Sequence, residues 1–114
     1  MEAAATEKRR FPRIEFKSPL QYRLRGTRGY RNTIAEDVSL GGLRFSDNYF
    51  VAPKSHLNLE FNALNRLIQA VGKVVWVSHI PHTDRYRYGV EFIGSDRQNL
   101  SFLNDFIMLR TGAI

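Results

Sequence analysis

Two short stretches of this 114-residue chain bring together residue types that could do chemistry. The first, Lys8-Arg9-Arg10-Phe11-Pro12-Arg13, places four cations within six residues. An anion would relieve their mutual repulsion, and a guanidinium offers phosphate a planar fork and a nucleobase a flat stacking face. The second, Asp37-Val38-Ser39-Leu40-Gly41-Gly42, sets a carboxylate and a hydroxyl two residues apart, hence on one side of an extended chain. The glycine pair that follows permits positive φ and close backbone approach. A carboxylate can accept hydrogen bonds from the N1 and N2 edge of guanine, and a serine hydroxyl can donate to phosphate or accept from an amine. Cations for phosphate and an acid for guanine are complementary halves. Each stretch alone also has an ordinary reading, a solvated basic run and an Asx-type turn.

Other chemistries find less support. The chain has no cysteine, which removes disulfides and thiolate metal sites and fits a reducing compartment. His79-Ile80-Pro81-His82 lacks a third ligand cluster, so no metal site is expected. Ser39 lies outside a Gly-x-Ser-x-Gly elbow and no histidine partners it, so no enzyme is expected. The net charge of +6, with 13 of the 17 basic residues arginine, calls for an anionic partner without choosing among them. No apolar stretch resembles a signal core or a membrane span, and the expectation is a cytoplasmic protein without membrane insertion.

The elements that must position these residues follow from periodicity. Ile14, Phe16, Leu20, Tyr22 and Leu24 alternate with mostly polar neighbours over 14–25, a half-buried strand in which Pro19 implies an edge or a bulge. Gly26-Thr27-Arg28-Gly29 reads as a hairpin turn. Further strands are expected at about 30–38, 43–46, 57–61, 67–79 and 86–93, the last two joined by Pro81-His82-Thr83-Asp84. Ser95-Asp96-Arg97-Gln98 has the form of a capping box, followed at helical spacing by Leu100, Leu103, Phe106, Ile107 and Arg110. Trp76, Phe45, Phe61 and Phe92 are expected in the core or between barrel and helix. Arg23, Arg25, Arg28, Arg31, Arg85 and Arg87 read as a solubilising rim, or as a face for an acidic partner. The sum is a mainly β domain, a small antiparallel barrel with one C-terminal helix.

Arg9-x-x-x-Arg13 followed by Asp37-x-Ser39-x-x-Gly42 resembles the paired RxxxR and DxSxxG signature of PilZ domains. Gly72-Lys73-Val74-Val75-Trp76 and Tyr88-Gly89-Val90-Glu91-Phe92 resemble two later strands of that family, so the resemblance runs from about Lys8 to Ile107. It implies a six-stranded antiparallel β-barrel at 9–110 behind a flexible tail at 1–8, and the ligand cyclic di-GMP with no further cofactor. By the same resemblance Arg9 and Arg13 would grip phosphates and stack on guanine, Asp37 and Ser39 would meet a guanine edge, and Gly42 would shape the turn. Lys8, Arg10 and Gly41 would complete the site, and Lys8, basic and just ahead of the first motif arginine, implies two stacked ligands per protomer. The basic tail is expected to be loose when free and ordered by ligand, and an unidentified protein partner would receive the signal. Two other readings stay open: a single-stranded nucleic-acid-binding barrel, which basic charge and strand aromatics would also suit, and a PilZ-like protein adaptor that binds no dinucleotide.

Overall fold

The computed structural model describes residues 13–63, 65–94 and 97–112, the side chains of 97 and 98 excepted. Six strands, β1 (Ile14–Leu24), β2 (Arg31–Val38), β3 (Gly42–Asp47), β4 (His56–Ala63), β5 (Arg66–His79) and β6 (Tyr86–Gly94), precede one helix, α1 (Arg97–Thr111). They close into an antiparallel barrel in the order β1-β2-β3-β6-β5-β4. Closure leaves no edge strand. Pro19 therefore sits within the ladder opposite Ile34, beside an irregularity between Glu15 and Ser18. Of the two expectations for that proline, the bulge is what the barrel contains.

The barrel is filled by the alternate positions of its strands. Leu20, Tyr22, Phe45, Leu57, Leu59, Phe61, Val74 and Tyr88 are all buried in its interior. Phe16 meets Phe61 edge-on at 5.8 Å and Phe106 of α1 at 5.5 Å, which seats the helix on the barrel through Leu103, Phe106 and Ile107. Arg110 lies over the Phe106 ring and donates to the Glu15 carbonyl, tying the last helical turn to the start of β1. Leu100, expected on the packed face, is instead exposed. Ser95 and Asp96 lie outside the described residues, as does the tail through Pro12.

Two of the register irregularities decide where Asp37 and Trp76 point. Between Ala35 and Asp37 the β2–β3 pairing gains one residue, Glu36. Between Val74 and Trp76 the β5–β6 pairing gains Val75. An extra residue in one strand of a pair reverses the inward–outward alternation beyond it. Asp37 and Trp76, which strict alternation would send inward with Ala35 and Val74, are turned to the outer wall. Trp76 is 38% exposed on the outer wall, a correction to its expected place in the core or between barrel and helix.

At the hairpin end of the barrel, Asp47 is buried and accepts from the Tyr22 hydroxyl at 2.6 Å, Arg31 Nε at 2.9 Å and the Asn48 amide at 2.7 Å. Burial alone would push its carboxyl up, but hydrogen bonds from Arg31, Tyr22 and Asn48 outweigh it and hold the group below its ordinary 3.8. Arg31, expected on a free rim, is committed to this ion pair and to the face of Tyr49. A depressed carboxyl stabilises the fold above its unfolded pKa, and that contribution is lost as pH falls through the folded value. Asp47→Asn should accordingly cost ~2–3 kcal/mol at pH 7. In urea titrations the gap to the wild type should narrow below about pH 4.

Candidate ligand site

The reversed alternation assembles a row of outward ladder partners across five strands. Glu15 of β1 faces Asp37 of β2, Asp37 faces Arg44 of β3, Arg44 faces Gly89 of β6, and Gly89 faces Trp76 of β5. Carboxylate, guanidinium, bare backbone and indole thus follow one another on the outer wall. Arg13, just ahead of β1, completes the group.

Asp37 is 6% exposed although it stands on the outer wall, because two guanidinium groups cover it. Arg13 donates to its Oδ1 at 2.6 Å, and Arg44 donates from Nε to its Oδ2 at 2.6 Å. The bond to Asp37 raises Arg44 above the ordinary arginine value against the opposing effect of burial. Farther along the wall Arg87 pairs with Glu36 at 3.0 Å. Both of these arginines bear on carboxylates of the site.

Ser39 closes the turn that connects β2 to β3. Its amide donates to the Gly42 carbonyl at 2.8 Å, and its hydroxyl accepts from the Gly41 amide at 3.1 Å. The Gly41 carbonyl accepts from the Phe92 amide, which fastens the turn to β6. Gly42 has no positive φ. Its requirement is closeness, since a Cβ there would stand 1.9 Å from the Val90 carbonyl oxygen. Gly89 serves the indole in the same way, because a Cβ there would stand 2.0 Å from Trp76 Nε1. Trp76 therefore lies flat across β6.

Two hollows flank Arg13. One, of about 390 Å³, is polar and lined by Arg13, Lys17, Glu36, Asp37, Arg44 and Arg87, with Ile14 and Glu15. The other, of about 240 Å³, joins Arg13 to Ser39, Gly41, Gly42, Trp76 and Glu91. Asp37 and Ser39 thus open onto different hollows, where the sequence expectation set them on one side, and Arg13 is the wall they share. A larger hollow of about 460 Å³ lies over β4 and β5, lined by Tyr30, Leu59, Glu60, Ala70 and others. None of its lining residues among those described is cationic, and Glu60 adds a negative charge, so it does not suit an anion.

Of the expected site residues, the structure brings together Arg13, Asp37, Ser39, Gly41 and Gly42. Lys8, Arg9 and Arg10 lie outside the described residues. Sequence reasoning missed Arg44 and Trp76. A hairpin closed by the Ser39–Gly42 turn places 37 opposite 44, so Arg44 was within reach of a register argument. For Trp76 the available signal was Gly89, a glycine inside a strand where something approaches the backbone closely.

A family model for the PilZ domain matches residues 7–109. The chain belongs to the PilZ domain family. Among solved structures, this PilZ domain is similar to the Bacillus subtilis inhibitor of motility MotI/DgrA, with a TM-score of 0.78 and 15% identity over 92% of this chain and 52% of that one. It is also similar to the Escherichia coli YcgR PilZ domain with c-di-GMP, with a TM-score of 0.70 and 16% identity over 93% of this chain and 94% of that one. A third is Borreliella burgdorferi PlzA in complex with c-di-GMP, with a TM-score of 0.57 and 15% identity over 93% of this chain and 44% of that one. The chain thus spans about half the length of MotI/DgrA and less than half of PlzA. No curated protein matches the sequence. No helix among the described residues is long and apolar enough to cross a membrane.

Trp76 is the sole tryptophan, so its emission reports on this wall alone. Gly89→Ala should push the indole off β6 and shift its emission to the red, with the far-UV circular dichroism of the barrel unchanged. An unshifted spectrum would mean that the indole does not rest on Gly89.

Proposed function

We propose that this PilZ domain is a receptor for cyclic di-GMP that passes ligand binding to a protein partner and catalyses nothing. The observation that carries the reading is the outer row itself, in which a carboxylate, a guanidinium and a flat indole adjoin Arg13, a cation shared by two hollows. Those are the groups a guanine nucleotide needs: an acceptor for N1–H and N2–H, donors for phosphate, and planes for stacking. The family match and the structural likeness to YcgR and PlzA, both solved with c-di-GMP, support the same ligand.

On this reading Arg13 serves phosphate and base, Asp37 meets the guanine edge, and Trp76 offers a stacking face. Lys8, Arg9 and Arg10 extend the cationic side. Ser39, Gly41 and Gly42 keep the backbone low beneath the ligand. The barrel is filled with apolar side chains, so the ligand occupies the wall, where a partner can sense it. The proposed setting is the cytoplasm, with a second protein as the output.

Calorimetric titration at near-physiological salt, with GTP and a short oligonucleotide as controls, tests this directly. The wild type should bind cyclic di-GMP selectively, at two molecules per protomer if Lys8 accompanies a stacked pair. Charge-assisted hydrogen bonds contribute ~1.5–3 kcal/mol each, so Arg13→Ala should weaken binding ~100-fold. Salt-sensitive binding of the oligonucleotide with no heat from the dinucleotide would overturn the receptor reading in favour of a nucleic-acid barrel.

A further inference from the structure

Arg13 and Arg44 both hold Asp37, yet they are held very differently themselves. Arg13 precedes β1, outside any ladder, and reaches Asp37 through a single nitrogen, Nη1, at 2.6 Å. Arg44 sits in the middle of β3, paired to Asp37 on one side and Gly89 on the other, and both Nε and Nη2 reach Oδ2. A phosphate can therefore compete for Arg13 far more easily than for Arg44. From this difference we infer that Arg44 is a positioning and selectivity residue for the base. It holds Oδ2 and the charge of Asp37 in place while Arg13 leaves Oδ1 for phosphate, so that Oδ1 opens toward the guanine donors.

The inference rests on the receptor reading and deepens it. As the ligand-free structure stands, each oxygen of Asp37 already accepts a short charge-assisted bond. A carboxylate this buried cannot lose both cations without standing as an uncompensated charge. With Arg44 present, the release of Arg13 leaves one ion pair intact and one oxygen free. Without Arg44, Arg13 would be the only cation among the described residues left on Asp37, and phosphate and carboxylate would compete for it. The guanine edge would then lose its acceptor even where the phosphates still bind.

Guanine and hypoxanthine differ only in the exocyclic 2-amino group, a donor suited to a carboxylate. Discrimination between cyclic di-GMP and cyclic di-IMP therefore reads the acceptor, whereas a general loosening of the wall weakens both ligands alike. The side chain of Arg44 is 40% exposed, so its replacement leaves the core packed. Affinities of both dinucleotides should be measured for the wild type, Arg44→Gln and Arg44→Lys, each checked for folding by its urea midpoint. The wild type should prefer cyclic di-GMP at least ~10-fold, as expected where the analogue keeps the N1–H bond but loses one charge-assisted hydrogen bond to the carboxylate. Arg44→Gln should shrink that preference to about twofold or less, and Arg44→Lys, which keeps the charge but loses the fork, should fall between. Equal losses for both ligands in the variants would overturn the role of Arg44 while leaving the receptor intact. A wild type that binds neither dinucleotide would overturn the receptor reading, and this inference with it.

Discussion

Side chains on a strand alternate between the two faces of the sheet, and in a closed barrel one of those faces is a packed core. A residue turned from that phase onto the outer wall must escape the alternation without disturbing the packing on either side. Glu36 and Val75 accomplish this, each as one extra residue in one strand of a pair. Before them Ala35 and Val74 point inward, and after them Val38 and Val77 again pack on the core. Asp37 and Trp76 are the residues that the reversed phase turns outward onto the site. Because β3 and β6 lie between β2 and β5 in the barrel, the two relocated residues fall on one row with Arg44 and Gly89 between them. Every property of the candidate site depends on that row.

Among the described residues the barrel carries a buried carboxylate at two places, and their surroundings differ. Asp47 is enclosed by Tyr22, Arg31 and its neighbour's amide, with Arg31 itself stacked on Tyr49. Its partners come from β1, β2 and the backbone, and the arrangement locks three strand ends together. Asp37 is held by two arginines, one fixed within the sheet and one ahead of it, beside two open hollows. The first carboxylate serves stability. On the proposed reading, the second is neutralised in a way that a competing anion partly undoes.

Much of this was legible in the sequence. The alternation of Ile14, Phe16, Leu20 and Tyr22, the glycine turn after Arg25 and the helical spacing of Leu103, Phe106 and Ile107 all correspond to elements of the barrel and its helix. The pair of motifs singled out Arg13, Asp37, Ser39 and Gly42, which the structure gathers at one end of β1, β2 and β3. Bulges were not legible beyond the hint from Pro19, since an inserted residue leaves no mark in composition and shows only in how two strands pair. Trp76 was misplaced for that reason: its inward phase, extended from Ile68 through Val74, breaks at Val75. Arg44 and Asp37 are neighbours by register, and a search for motifs, which reads along the chain, passes over contacts made across it.

On the proposed reading, a guanine dinucleotide binds on the outer row and separates Arg13 from Asp37. Amide and side-chain chemical shifts of labelled protein, followed as cyclic di-GMP is added, test it most directly. Shifts should concentrate at Arg13, Asp37, Ser39, Gly41 to Arg44, the Trp76 indole and Gly89 to Glu91, with the Arg13 guanidinium moving and Arg44 remaining near its free position. Shifts gathered instead on the arginine-rich hairpin at 25–31, with the row silent, would contradict it.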